Sequence, residues 1–320
     1  MRIVFMGTPD FAAAPLEAII KSGRHQVTGV ITQPDRPKGR GKSMQFPPVK
    51  EKALEYSIPV WQPEKINTPE MLQILKEQKP DCIVVAAFGQ ILKKEILELP
   101  PYGCINIHAS LLPKLRGAAP IQWAVIQGDE KAGVTTMWMD EGLDTGDMLM
   151  KKEVMLDSRE TGGSLFDKLS LCGCELILET LEALEAGTVT RTPQTGETSY
   201  AKILTKELGN IDWKKPAAEI ERLIRGLNPW PSAYSYLNGR MVKFWSATAE
   251  AGEEISQTVK NAVPGSIFQP DRHSFAVVCG EGCLKINELQ AEGKKRMTAD
   301  AWLRGVRLEP GMCFGSTKNQ

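Results

Sequence analysis

The run Cys104-Ile105-Asn106-Ile107-His108-Ala109-Ser110-Leu111-Leu112-Pro113 places an amide and an imidazole two residues apart. In an extended chain that spacing sends both side chains to the same side. An amide and an imidazole together form a donor pair for a developing oxyanion, and the imidazole also moves protons near neutral pH. Taken alone, Asn-x-His more often satisfies buried backbone groups, so a third group is needed to make the pair chemical. Residues 139–147 offer one. This stretch holds Asp140, Glu141, Asp144 and Asp147 with Gly142 and Gly146 in one tight turn. One of these carboxylates is expected to orient His108, while the others read as caps of a solvated turn. Between the two segments, Lys114-Leu115-Arg116-Gly117-Ala118-Ala119-Pro120 carries small residues that let a flat ligand approach the backbone.

The elements that must position these groups follow from hydrophobic pattern and turn chemistry. Residues 2–6 are a short apolar strand ending at Gly7, with Thr8 expected to cap a helix that has Pro9 in its first turn and Gly23 at its end. Residues 26–32 read as a second strand. Residues 34–48, with their prolines and glycines, exclude regular structure, and a helix over 48–56 and a short strand at 59–61 follow. Thr68-Pro69 opens another helix, and residues 81–88 form an apolar strand buried on both faces. The run 104–109 is the next strand, residues 121–126 lie on a helix, strands fit at 133–139 and 148–155, and an amphipathic helix runs from Thr161 through Leu184. Alternating strands and helices predict an α/β fold, a doubly wound and mostly parallel sheet, over residues 1–188. Residues 189–206 read as a linker. From 207 to 320 one helix at 216–227 precedes five short strands, two of them joined by the hairpin signal Asn238-Gly239, which predicts a small OB-like barrel. Asn106 and His108 then sit at the carboxyl end of a parallel strand, where open α/β sheets bind ligands.

Several classes are excluded. The first turn, Gly7-Thr8-Pro9-Asp10-Phe11, has one glycine, a missing N–H and a carboxylate, so it does not cradle a dinucleotide in the usual way. Lys plus Arg and Asp plus Glu each number 39, so there is no polybasic coat; residues 1–205 are slightly acidic and 206–320 slightly basic. No apolar run approaches the ~20 residues of a membrane span, and the chain enters its first strand at once, which reads as folded domain and not as a signal peptide. Seven cysteines at low density predict reduced thiols in a cytoplasmic protein, and three scattered histidines offer no paired spacing for a metal, so none is expected.

Asn106-x-His108, Ser110-Leu111-Leu112-Pro113, Arg116-Gly-Ala-Ala-Pro-Ile121 and Asp140-x-Gly-Leu-Asp144-Thr-Gly-Asp147 occur together and in order. The set resembles the 10-formyltetrahydrofolate-dependent formyltransferases. Gly7-Thr-Pro-Asp-Phe11, Gln33-Pro-Asp-Arg-Pro-Lys-Gly-Arg-Gly-Lys42, Asn228-Pro-Trp-Pro231 and the extra C-terminal domain are similar to the branch of that family that formylates initiator methionyl-tRNA. The resemblance implies that the α-amine of methionine esterified to tRNA attacks the formyl carbon of 10-formyltetrahydrofolate, a co-substrate and not a bound cofactor. It places the catalytic trio on Asn106, His108 and Asp144. Asn106 and His108 would steady the oxyanion and Asp144 would hold His108, with the group that takes the first proton left open. Ser110, Leu111, Leu112 and Pro113 correspond to the family's folate-binding turn. Arg36, Lys38, Arg40 and Lys42 would form a cationic arm wedging into the acceptor stem, with Arg40 at the key position; without the resemblance, a solvated loop explains these charges equally well. Lys214-Lys215 and Lys294-Lys295-Arg296 offer further phosphate contacts.

Two other readings compete. Formyl transfer to a small amine needs neither the basic arm nor the barrel. A non-catalytic RNA-binding module predicts loss of Asn106, His108 and Asp144, which are all present. Nothing in the sequence demands a dimer, so a monomer is expected.

Overall fold

The computed structural model describes residues 1–38, 43–251 and 262–315. It divides into two compact units. The first comprises Met1–Pro120, Lys131–Met155 and Phe166–Lys202; the second comprises Ile121–Glu130, Leu156–Leu165 and Ile203–Gln320.

The first unit is built on a seven-stranded sheet. Its strands are β1 (Arg2–Gly7), β2 (Gln26–Ile31), β3 (Val60–Trp61), β4 (Cys82–Ala86), β5 (Cys104–His108), β6 (Lys131–Trp138) and β7 (Asp147–Met155). They lie in the order β7-β6-β5-β4-β1-β2-β3. β5 through β3 are parallel, and β6 and β7 add an antiparallel hairpin at the β5 edge. The central strands β1 and β4 are near-continuous apolar runs because helices cover both faces. Val4, Met6, Ile83 and Val85 face one layer with Met71 and Leu75 of α3 (Pro69–Gln78) and Ile96 of α4 (Lys94–Leu97). Toward the other layer, Gly173 in α6 (Gly162–Glu185) lets Ile107 and Phe11 of α1 (Asp10–Ser22) approach, and Phe11 meets Phe166 edge-on at 5.9 Å. A Cβ on Gly7 would stand 2.6 Å from the Ala12 side chain, so this glycine serves close strand–helix packing.

Three details differ from expectation. Thr8 does not cap α1: Pro9 is the cap, and no side chain bonds there. The Thr8 hydroxyl instead lies 3.4 Å from the Gln33 N–H and 3.5 Å from the Phe88 carbonyl, drawn to the turns at neighbouring strand ends. Residues 34–48 do contain regular structure, since Arg36–Lys38 pairs antiparallel with Ser43–Gln45. An isolated two-stranded ribbon has only edges, where Pro37 is tolerated. α2 (Pro48–Glu55) follows. The third detail is that much of 189–206 is held by pairing: Thr192 bridges Met148, and Tyr200–Ala201 pairs with Arg116–Gly117. Thr68, by contrast, caps α3 as expected, accepting from Met71 N at 3.2 Å.

The second unit carries β8 (Ala233–Leu237), β9 (Arg240–Glu250), β10 (Ile267–Asp271), β11 (Ser274–Val278), β12 (Cys283–Ala291) and β13 (Met297–Thr298). The order is β8-β9-β12-β11-β10, all antiparallel, with β13 beside β12. Asn238 and Gly239 take positive φ of 49° and 73°, the conformation a two-residue hairpin needs. Register shifts near Ser246 curl β9. Residues 312–315 then lace the two sheet edges together: Gly315 exchanges bonds with Tyr236, and Phe314 N and Met312 O bond to Gly265 and Ile267. Phe314 fills the core between Trp213 and Phe244, and α7 (Ala217–Gly226) and α8 (Ala299–Leu303) supply Ile220, Ile224 and Trp302. The remaining helix, α5 (Pro120–Gln127), follows the Arg116 segment in the chain.

Candidate active site

Strand β5 ends at the carboxyl edge of the parallel sheet, and its last residues supply two buried polar side chains. Asn106 is 8% and His108 6% exposed. Their spacing puts them on one side, as the strand period requires. The 139–147 loop, between β6 and β7, brings Asp144 to the same place. Asn106 Nδ2 donates to Asp144 Oδ1 at 3.4 Å, and His108 Nδ1 lies 3.6 Å from the same oxygen. The other carboxylate oxygen accepts from the Gly117 N–H at 2.8 Å. The far ring nitrogen of His108, Nε2, sits 2.9 Å from the Leu115 carbonyl. A carbonyl only accepts, so Nε2 carries a proton there and Nδ1 is the nitrogen turned to Asp144.

The loop that presents Asp144 is shaped by its own acids and glycines. Asp140 Oδ1 accepts from Gly142 N at 3.0 Å and from the Thr145 hydroxyl at 2.6 Å. A Cβ on Gly146 would come within 1.9 Å of the Trp138 carbonyl, so the return into β7 needs glycine. Asp147 pairs with Arg191 at 3.0 Å. Asp140 and Asp147 thus have structural partners, and Asp144 is the acid that faces Asn106 and His108.

Residues 110–113 form a tight turn beside His108. The Ser110 hydroxyl donates to the Lys114 carbonyl at 2.7 Å. Thr135 of β6 donates to the Ser110 carbonyl at 2.7 Å and accepts from Leu112 N at 3.2 Å. Leu112 is buried, Leu111 packs on Gly133, and the Leu112–Pro113 bond is cis. Lys151 Nζ donates to the Leu112 carbonyl at 2.5 Å, and burial lowers its pKa from the ordinary lysine range. The turn's polar groups are therefore spent on its own shape.

These elements leave an amide, an imidazole and a carboxylate around one point at the sheet edge, an arrangement suited to acyl transfer. A family model described as formyl transferase matches residues 1–181. The chain belongs to the formyl transferase family. A second model, formyl transferase C-terminal domain, matches residues 203–307 of this formyl transferase. The methionyl-tRNA formyltransferase of Agathobacter rectalis is 56% identical over 315 residues, covering 98% of this chain and 99% of that protein. Its counterpart from Lachnospira eligens is 54% identical over 317 residues, covering 98% and 100%. HypX from Aquifex aeolicus, solved in complex with tetrahydrofolic acid, shares the fold at a TM-score of 0.61 and 19% identity. The match covers 95% of this chain and 47% of HypX.

In this formyl transferase, the structure brings Asn106, His108 and Asp144 together, with 110–113 adjoining His108 in sequence. Of the cationic arm, Arg36 and Lys38 lie on the strand Arg36–Lys38 that pairs with Ser43–Gln45. Arg36 is exposed there, while Arg40 and Lys42 lie outside the described residues. Lys38 pairs with Ser43 through the backbone ladder. The root of the arm is tied by Lys50 to Asp35 at 2.6 Å and by Gln62 to Asp35 at 2.7 Å. Lys214, Lys215, Lys294, Lys295 and Arg296 of the second unit are exposed, with Lys215 3.4 Å from Glu219 and Arg296 against Trp245 and Glu288.

Sequence reading missed Thr135, the Leu115 carbonyl and Gln194. Thr135 sits in an apolar strand and Gln194 in a stretch read as linker, so neither carries a local signal. The cysteines are free thiols, and burial pushes Cys104 and Cys279 up to about 12. Among the described residues, no group of three or more His, Cys, Asp or Glu is arranged to hold a metal, and no helix is long and apolar enough to cross a membrane.

Proposed function

We propose that this enzyme transfers the formyl group of 10-formyltetrahydrofolate to the α-amine of methionyl-initiator tRNA. The amine nitrogen attacks the formyl carbon and forms the new C–N bond. The bond from that carbon to folate N10 then breaks, and the proton lost by the amine ends on N10. Asn106 donates to the oxyanion of the tetrahedral intermediate, the kind of group whose removal costs roughly 10²–10³ in rate. With Nε2–H on the Leu115 carbonyl and Nδ1–H toward Asp144, His108 supports the same charge not through a further hydrogen bond but as an imidazolium held by Asp144. Hydrogen bonds of this kind often tighten only when substrate arrives, so the 3.6 Å gap suits the role. Ser110, Leu111, Leu112 and Pro113 border the folate.

The observation that carries the reading is the convergence of Asn106 and His108 on one oxygen of Asp144. Relatives that share more than half their residues with this chain, across nearly its whole length, are methionyl-tRNA formyltransferases, which supports the choice of acceptor. We assign the chemistry to residues 1–188. Contact with tRNA falls to residues 207–320 and to the arm bearing Arg36, Lys38, Arg40 and Lys42. We place the enzyme as a monomer in the cytoplasm. With no net charge, its hold on tRNA depends on these local patches and weakens with salt.

The test is formyl transfer from the donor to radiolabelled methionyl-tRNA, with glycinamide ribonucleotide as the competing acceptor. Label on the tRNA, with an apparent constant for tRNA that rises with salt faster than that for folate, supports the reading. Preference for the small amine contradicts it.

A further inference from the structure

Gln194 is the point where three chain segments of the first unit meet. Its Nε2 donates to the carbonyls of Asp144 and Gly146, both at 2.8 Å. Its Oε1 accepts from Arg116 Nε at 3.0 Å and Nη2 at 2.7 Å. These partners fix the orientation of the amide, since carbonyls only accept and a guanidinium only donates. Asp144 itself is left-handed, with φ of 54°. A non-glycine residue keeps such a backbone only where its surroundings hold it. Gln194 grips the loop on both sides of Thr145 and joins it to the segment whose Gly117 N–H meets the Asp144 carboxylate.

The same strap holds the imidazole. Ser199 Oγ accepts from Leu115 N at 2.9 Å, and Leu115 O faces His108 Nε2 at 2.9 Å. The Ser199 carbonyl accepts from Arg116 N at 2.9 Å, and Tyr200–Ala201 pairs with Arg116–Gly117. Residues 192–201 thus reach both halves of the catalytic pair.

We propose that Gln194 is a positioning residue for formyl transfer: it sets the place of Asp144 against His108 without touching substrate. This rests on the function proposed above. Gln194→Met keeps the volume and removes every hydrogen bond. Gln194→Glu keeps the Arg116 contact but turns a carboxylate toward two carbonyls. Each variant of the full chain is compared with wild type in single-turnover transfer and steady-state kinetics, in the native and the Asp144→Asn backgrounds, with thermal unfolding alongside.

The expected result for Gln194→Met is a fall in kcat of roughly 100-fold, the cost of a misplacement near 1 Å. Both KM values stay within about 3-fold, because uniform binding is untouched. In the Asp144→Asn background the same change costs less than about 3-fold, because the group it acts through is already lost. A kcat within about 3-fold of wild type overturns the proposal. So does a full loss repeated in the Asp144→Asn background, which marks a general structural role. If Gln194→Met does not unfold cooperatively, Gln194→Glu decides by the same criteria. A wild-type enzyme that fails to formylate methionyl-tRNA overturns the functional reading itself; one that succeeds beside an unimpaired Gln194→Met overturns only the positioning.

Discussion

His108 Nδ1 lies 3.6 Å from Asp144 Oδ1, although His108 ends β5 and Asp144 follows the whole of β6. The antiparallel return of β6 beside β5 makes this possible, since it pairs His108 with Thr135 and carries the chain back past Asn106 to the loop. The Leu115 carbonyl fixes the far ring nitrogen, so the near one meets the carboxylate. Asp144→Asn replaces an acceptor with an amide at that edge. The expected outcome is a kcat lowered by roughly 10²–10⁴, the range of proton-transfer catalysis, with cooperative unfolding retained. Single-turnover transfer and circular dichroism check it.

Thr135 holds the turn at 110–113 from below and is fully buried. Its hydroxyl serves both the Ser110 carbonyl and the Leu112 N–H. Thr135→Val keeps the shape and leaves both groups without that partner. Stability is expected to fall by about 1–3 kcal/mol, the cost of an unsatisfied buried polar group. The KM for the formyl donor is expected to rise while that for tRNA holds. Urea unfolding and donor titration measure the two effects.

Phe314 closes the barrel of the second unit. Its ring is 5.2 Å from that of Phe244 and 5.8 Å from that of Trp213, and the residue is 2% exposed. Phe314→Ala is expected to cost about 3–5 kcal/mol. The tail that laces β8 to β10 should loosen with it. Trp213, itself buried in this core, reports the transition by fluorescence during urea unfolding.

His25 is buried, and its Nε2 has no hydrogen-bond partner among the described residues. Burial pushes the imidazole below its ordinary range; the N-terminal ammonium and Arg24 act in the same direction and Glu185 against it. As pH falls below about 6.5, the unfolded chain therefore binds this proton before the folded chain does. The stability tied to His25 is complete above that pH and declines below it, until the folded ring titrates as well. His25→Gln is expected to flatten the dependence of unfolding free energy on pH between about 5 and 7. Equal slopes in both proteins contradict this.

Local pattern reaches as far as local physics does. The spacing of Asn106 and His108 reads directly as one face of a strand, Asn238-Gly239 reads as a hairpin, and the period of α6 reads as a long helix. That Asp144 is the acid facing them depends on β6 pairing with β5, which the motif implies by resemblance and not by spacing. Gln194 and Ser199 act through bonds to residues about 50 to 84 positions away, and nothing nearby in the chain marks them. The pairing of residues 36–38 with 43–45 was hidden by the prolines and glycines in and around it, and Thr8 found neighbouring strand ends in place of the helix below it. The closure of the barrel by residues 312–315 likewise pairs segments far apart in sequence.

In the proposed reaction Asn106, His108 and Asp144 act as one device on one formyl carbon. Single-turnover transfer from 10-formyltetrahydrofolate to methionyl-tRNA tests it most directly, using Asn106→Ala, His108→Ala, Asp144→Ala and the triple variant. Groups that work as a unit are strongly non-additive. The expected losses are roughly 10²–10⁴ for each single variant, with a triple variant little worse than the worst single one. Losses that multiply across the three, or a single variant with near wild-type turnover, would contradict this joint action.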